Sequence, residues 1–226
     1  MDTEKLIQAL VESAQPVRPL PRPWIRTAMW LAIAIPYIAL VVYVMSPRAD
    51  LVSKMSEARY LIEQFAALAT GVTAAIAAFA TTIPGYSRRI FLLPIMPFAA
   101  WLGALGQGCV SALIQFGPNG LSLQPDWFCL PAIVLVGAVP AVAMAFMLRR
   151  GAPLFPHVST ALGALAAAGL GNFGLRFFHP QDADLMVLVW QFGTVFVLTC
   201  FAGLAGRYLL SWSSIINAAR RRSTVG

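Results

Sequence analysis

The sequence predicts an all-α, polytopic integral membrane protein: a six-helix transmembrane bundle that follows a short cytoplasmic N-terminal helix. Three observations carry this prediction. The 226 residues are 59% hydrophobic and only 11% charged, whereas a soluble domain carries about 25% charged residues. The apolar residues form long uninterrupted segments. The Lys and Arg residues collect between those segments with a strong asymmetry from one side to the other.

Six apolar segments are predicted to span the membrane. Each is close to the roughly 20 residues that a helix needs to cross about 30 Å of hydrocarbon. Their continuous hydrophobicity lacks the alternation of transmembrane β-strands. The predicted spans cover about residues 27–45, 60–83, 90–114, 129–148, 158–177 and 185–209. They define a transmembrane domain over residues 26–210, between an N-terminal arm of residues 1–25 and a basic cytoplasmic tail of residues 211–226.

The basic residues predict the orientation of this domain. With the N-terminus in the cytoplasm, twelve of the sixteen Lys and Arg residues lie on the inner side, which places both termini there. The four on the outer side are Arg48, Lys54, Arg59 and Arg176. The basic residues that this topology places beside the spans account for the net charge of +7, so the charge need not indicate nucleic acid. We therefore expect the lipid bilayer as a partner and no direct contact with nucleic acid.

Small and polar residues within the spans predict how the helices pack. Small residues that recur every fourth position let two backbones approach closely in lipid. Such series are Ala67, Gly71 and Ala75 in the second span and Gly163, Ala167 and Gly171 in the fifth. Glu63 and Gln64 are expected near the outer membrane interface, where a carboxylate is tolerated. Asn172 and Arg176 are expected to satisfy neighbours or to extend toward water.

The N-terminal arm contains a predicted amphipathic helix. Its apolar residues share one side of the helix, and acidic residues lie near its positive N-terminal dipole. The apolar residues are Leu6, Ile7, Leu10 and Val11. A stiff, Pro- and Arg-rich stretch then leads into the first span. Two interpretations stand: a helix that anchors in the membrane interface or frays, and a helix that docks a cytosolic partner.

Two of the three cysteines are predicted at the outer face. Cys109 lies toward the outer end of the third span, and Cys129 lies at the outer start of the fourth. They could be apolar packing residues, a disulfide, or ligands of a soft metal ion together with His179. Cys200 is expected deep in the inner half of the last span as a packing residue.

Motifs for catalysis are absent from the sequence. There is no HExxH motif, nucleophile elbow or phosphate-binding loop, so we expect neither an enzyme nor a cofactor. A small transporter or channel is an alternative, but the spans hold few polar residues. A membrane thiol-redox protein is a second alternative, but it would usually carry Cys-x-x-Cys.

Three stretches carry a resemblance to a known family. They are "PVRPLPRPWIR" before the first span, "RRGAP" at 149–153, and "FHPQDADLMVLVW" at 178–190. Together, in this order and with the spans between them, they resemble the NrsF family of membrane anti-sigma factors of the bacterial inner membrane. The resemblance covers essentially the whole chain.

The resemblance implies a function and a sensing residue. It implies that an extracytoplasmic-function sigma factor is held at the cytoplasmic face and released when an external heavy metal or oxidant acts on thiols. Cys129 matches the family's cysteine at the start of the fourth span. The family's second cysteine is expected beside a His-Pro step, where this chain has Phe178-His179-Pro180. Cys109 could replace it, His179 could supply a metal ligand, or this protein could sense a different signal.

Overall fold

A computed structural model describes residues 3–13, 20–117, 129–151, 155–179 and 193–209 of the chain. Every regular element among these residues is helical. A 3₁₀ turn at Arg88–Leu92 leads into the fifth α-helix. The helices are α1 Thr3–Ser13, α2 Pro23–Met45, α3 Leu51–Met55, α4 Ala58–Ala80, α5 Ile95–Phe116, α6 Cys129–Arg149, α7 Pro156–Leu175 and α8 Gly193–Leu209.

Within the described residues, five helical segments are long and apolar enough to cross a membrane. They are Pro23–Met45, Ala58–Ala80, Arg88–Ser111, Pro131–Arg149 and Pro156–Leu175. They correspond to the first five predicted spans, so those spans are confirmed as helices of suitable length.

The sixth predicted span is described only in part. α8 contains a shorter apolar helix, Val195–Gly206. Residues 180–192, which include the predicted start of this span at 185, lie outside the described residues. Six spans, the position of both termini and the boundaries of arm and tail therefore stay predictions.

Prolines mark several helix boundaries. Pro23 and Pro156 occupy the first position of α2 and α7, where a helix needs no N–H donor. Pro94 lies just before α5. Pro36 and Pro140 lie inside α2 and α6, where each removes one backbone hydrogen bond.

The helix α7 forms the centre of the bundle and packs against α4, α6 and α8. A core cluster joins α2, α4, α6 and α7 and includes the fully buried Trp30, Phe79 and Val136. At the other side of α7, His157 contributes Nδ1 to a 2.6 Å hydrogen bond with the carbonyl oxygen of Gly203 in α8. His157 therefore lies in the first turn of α7 and ties that turn to α8.

The contact between α4 and α7 brings two backbones together at glycines. A Cβ added to Gly71 would lie 3.1 Å from the backbone nitrogen of Leu170 and 3.2 Å from the carbonyl oxygen of Ala166. A Cβ on Gly169 would lie 3.1 Å from the carbonyl oxygen of Ala67. The close approach predicted from the small residues of the second span is confirmed at Gly71. In the predicted series of the fifth span, Gly171 instead faces α6, where an added Cβ would lie 3.4 Å from Cα of Gly137.

This contact predicts a large effect of one methyl group. Gly71→Ala should lower the free energy of unfolding by about 1–3 kcal/mol, because the crowding atoms are backbone atoms and the helices must separate. Gly103 in α5 is the matched control, since a Cβ there meets nothing within 4 Å. Gly103→Ala should leave stability unchanged or raise it by up to about 1 kcal/mol. Thermal unfolding in detergent measures both, and equal midpoints for the two variants would contradict the proposed contact.

The spanning helices alternate in direction, which defines two ends of the bundle. At one end, Arg26 near the start of α2 binds Thr82, which follows α4, and Met147 near the end of α6. At the opposite end, the backbone N–H of Arg48 donates to the carbonyl oxygen of Phe177, just after α7, at 3.0 Å. We call these the Arg26 end and the Arg48 end. The alternation is the one that the predicted topology requires.

Candidate functional site

The helix α1 presents an apolar face that the rest of the chain does not cover. Leu6, Ile7 and Val11 are 42%, 54% and 67% exposed. Glu4 lies in the first turn, where its charge favours the helix dipole. The backbone of Leu10 belongs to this helix, and its side chain lies outside the description. The predicted amphipathic helix is present, and its apolar face is available to a partner or to lipid.

Arg26 is a buried cation at the Arg26 end. Only 4% of the surface of Arg26 is exposed. Nη1 donates to Oγ1 of Thr82 at 2.7 Å, Nη2 donates to the carbonyl oxygen of Met147 at 2.5 Å, and the guanidinium lies 4.4 Å from the centroid of the Phe79 ring. These neutral partners replace water around the charge, and they tie the start of α2 to the ends of α4 and α6.

The Arg48 end holds a second buried arginine. The side chain of Arg48 is 1% exposed and pairs in a bidentate way with Asp50, with Nε to Oδ1 at 2.6 Å and Nη2 to Oδ2 at 2.8 Å. Hydrogen bonds from Arg48 hold the pKa of the Asp50 carboxyl below its ordinary value. The backbone N–H and Nη1 of Arg48 also reach the carbonyl oxygens of Phe177 and His179, at 3.0 and 3.5 Å. Arg48 thus joins the C-terminal end of α2 to the segment that follows α7.

Glu63 forms a buried ion pair that the sequence did not predict. Its side chain is 4% exposed, and Oε2 accepts a 2.9 Å hydrogen bond from Nη2 of Arg176, whose side chain is 7% exposed. Oε1 accepts from Nε of Arg59 at 3.0 Å. Glu63 is expected near a membrane interface, and the structure adds that Arg176, just after α7, supplies the cation that lets this carboxylate be buried. For Arg176, the expectation that it satisfies a neighbour is confirmed.

Neighbouring side chains of α4 satisfy the last carbonyl groups of α7. The hydroxyl of Tyr60 donates to the carbonyl oxygen of Arg176 at 3.1 Å, and Nε2 of Gln64 donates to that of Phe173 at 3.2 Å. The final carbonyls of a helix lack intrahelical donors. These bonds fix the position of the chain as it leaves α7 toward His179.

The cysteines lie in three different helices. Cys109 is partly buried in α5. Cys129 is the first residue of α6, and its side chain and residues 118–128 lie outside the description. The sensing roles of Cys129 and Cys109 stay predictions. Cys200 is exposed on α8, so the expectation that it is a packing residue is wrong.

His179 shares a cavity with the start of α6. The cavity measures about 290 Å³ and is lined by Met45, Pro131, Ala132, Leu135, Phe178 and His179. Pro131 is two residues beyond Cys129, so the backbone brings the start of α6 and the segment after α7 to one place. Among the described side chains, no three His, Cys, Asp or Glu residues cluster as metal ligands. Because the Cys129 side chain is not among them, the metal set of Cys129, Cys109 and His179 also stays a prediction.

Two adjoining cavities of about 260 Å³ each lie between α6, α7 and α8. Residues common to both are Ala141, Ala164 and Ala202, and Thr160 is the one hydroxyl residue in their described linings. These linings lack the convergent polar groups that orient a polar ligand.

In the part of the chain that the structure describes, every regular element is helical, five helices are long and apolar enough to cross a membrane, and the amphipathic arm is exposed. The chain matches the family model NrsF, negative regulator of sigma F, over residues 10–212. It therefore belongs to the NrsF family. The match includes Leu10 and Val11 and begins after Leu6 and Ile7. Membership implies negative regulation of a sigma factor, which is a regulatory and not a catalytic role.

No curated protein and no solved structure matches the chain.

Proposed function

We propose that this chain is a bacterial inner-membrane anti-sigma factor that holds an extracytoplasmic-function sigma factor at its cytoplasmic face. The observation that carries the proposal is the exposed apolar face of α1, formed by Leu6, Ile7 and Val11. An amphipathic helix laid into an apolar groove is a common mode of protein recognition. The Pro- and Arg-rich segment between α1 and α2 keeps this helix near the membrane. The bound sigma factor would then be withheld from RNA polymerase.

The charge distribution supports a cytoplasmic Arg26 end. Exposed arginines gather at this end, as the excess of Lys and Arg in cytoplasmic loops requires. They are Arg22, Arg88, Arg89, Arg149 and Arg150. The arm joins the bundle at the same end, through the start of α2. The Arg48 end then faces the outside, together with Cys129, Cys109 and His179.

The outer location supports thiol sensing. The compartment outside a bacterial inner membrane is oxidising, and thiols there tend to pair or react. Cys129 lies at the N-terminus of α6, where the helix dipole favours a thiolate. A soft cation such as cadmium would replace the thiol proton and form a metal–sulfur bond. An oxidant would accept two electrons as two thiols lose two protons and form a disulfide.

Replacing the outer thiols tests the sensing half of this proposal. Cys129→Ser should leave the sigma factor bound in unstressed cells, because binding takes place at the opposite face, and should blunt its release by cadmium or a thiol oxidant. Cys109→Ser should have a smaller effect. Cys200→Ser is the matched control and should respond like the parent. A reporter gene that the sigma factor transcribes measures its release. If Cys129→Ser responds like the parent, the Cys129 thiol is not the sensor.

A further inference from the structure

The helices α2 and α6 are hydrogen-bonded to each other at three levels along their length. Nη2 of Arg26 donates to the carbonyl oxygen of Met147 at 2.5 Å. Nε1 of Trp30 donates to the carbonyl oxygen of Pro140 at 2.9 Å, and the hydroxyl of Tyr37 donates to that of Leu135 at 2.6 Å. We call these three side-chain-to-carbonyl bonds the carbonyl ladder. From Arg26 to Tyr37 it covers about 16 Å of α2.

The ladder fixes the register between two helices that apolar packing alone would hold weakly. Lipid tails are as apolar as helix side chains, so the hydrophobic effect does not drive helices together inside a bilayer. Trp30 is fully buried, and an indole N–H without an acceptor in hydrocarbon is costly. Sliding or rotation of α2 along α6 would break all three bonds. Relative motion of α2 and α6 therefore has to break hydrogen bonds as well as apolar contacts.

The ladder also connects the two functional ends of the bundle. α6 starts at Cys129 at the Arg48 end, and its last turn binds Arg26 at the opposite end. α2 starts at Pro23 at the Arg26 end, directly after the segment that carries the arm. The ladder thus gives α6 a hydrogen-bonded connection to the root of the arm that includes no residue of α4 or α7.

We infer that α2 and α6 move as one unit, and that the carbonyl ladder carries an outer signal to the arm that holds the sigma factor. This inference rests on the proposed function and names the route of its regulation. Trp30 and Tyr37 are positioning residues in this route, because they act through the carbonyls of α6 and contact neither signal nor partner. Arg26 is the third rung, but it also binds Thr82, so the test uses the other two.

The test removes two rungs and keeps an aromatic side chain at each position, although Phe is smaller than the buried Trp30. The main variant combines Trp30→Phe with Tyr37→Phe. A second variant, Tyr37→Phe alone, removes one hydrogen bond of the ladder without changing the size of any ring. Tyr43→Phe is the matched control, since it removes a hydroxyl from the same helix at a side chain that is 80% exposed. The double variant should still hold the sigma factor at the membrane in unstressed cells. It should need about tenfold more cadmium or oxidant for release than the parent.

The outcomes separate the inference from the proposed function. Parental release from the double variant overturns the ladder as the route. Loss of the sigma factor in unstressed cells also overturns it, because the ladder then serves holding and not signalling. If the parent itself does not release the sigma factor, the sensing half of the proposed function fails. A distance measurement between α2 and α6 then tests whether the ladder couples the two helices.

That measurement uses spin labels on Leu40→Cys and Val134→Cys in a background with the three native cysteines changed to Ser. Both positions are exposed, on α2 and α6 respectively. The distance distribution between the labels should be narrow in the chain with an intact ladder and in Tyr43→Phe. It should broaden in the double variant. An unchanged width would show that the ladder does not couple the helices.

Discussion

Replacing Leu6 and Leu10 by Asp is expected to abolish co-purification of the sigma factor with the membrane-bound chain. If the apolar face of α1 is buried in the partner, each Leu contributes about 1.5–3 kcal/mol. The loss of both, with two carboxylates brought to the same interface, should lower affinity by more than about a hundredfold. The arm is outside the bundle core, so the variant should insert into the membrane in parental amounts.

The control for this experiment adds charge to the polar side of α1. Lys5→Asp combined with Gln8→Asp changes the net charge of the arm by more than the Leu variant does. It should nevertheless retain the sigma factor, because these residues lie across the helix from Leu6 and Leu10. Parental co-purification by the Leu variant would place the contact elsewhere, for example on the "RRGAP" loop at 149–153.

The variant Glu63→Ala is expected to be the most destabilising single substitution at the Arg48 end. It leaves the Arg176 guanidinium buried without its carboxylate, and breaking a buried pair in this way costs about 3–5 kcal/mol. Glu57→Ala is the control, because Glu57 pairs with Lys54 through a side chain that is 49% exposed. An exposed pair contributes about 0–1 kcal/mol. Thermal unfolding in detergent compares the two variants.

A second substitution separates the charge effect from lost packing. Replacing Glu63 and Arg176 together by Leu removes both charges, so the double variant should be closer to the parent than Glu63→Ala. If Glu63→Ala unfolds at the same temperature as Glu57→Ala, the ion pair does not hold α4 against α7.

The five described spans could be predicted because a helix that crosses a membrane must be continuously apolar and long enough to match the hydrocarbon core. Each apolar run has to match the hydrocarbon thickness, so its ends were predictable to within a few residues. Gly71 could be predicted as a packing site because, in lipid, small residues at a fixed spacing have few other uses. The amphipathic pattern of Leu6, Ile7 and Val11 predicted α1 for a similar reason, since a period of 3.6 residues is specific to helices.

The polar contacts could not be predicted, because their partners are distant in sequence or carry no residue signal. Glu63 and Arg176 are 113 positions apart, and nothing local to either shows that α4 and α7 are neighbours. Trp30 and Tyr37 donate to backbone carbonyls, which every residue has. Only the packing of α2 on α6 selects the carbonyls of Pro140 and Leu135 as acceptors.

The family resemblance identified Cys129 as a candidate sensing residue but not the cavity beside the start of α6. Cys129 could be singled out because it matches the family's cysteine at the start of the fourth span. The cavity that joins Pro131 and His179 has no pattern in the sequence, because it forms where α2, α6 and the segment after α7 meet. This geometry supports His179 as the residue to examine after Cys129.

The central claim is that the chain holds a sigma factor at the membrane and releases it when an external signal arrives. Fractionation of cells that produce the native chain and a tagged sigma factor tests it directly. The sigma factor should sediment with the membranes before cadmium is added and appear in the soluble fraction afterwards, while the chain stays in the membranes. A sigma factor that is soluble in both samples, at the same level as in cells lacking the chain, would contradict the account.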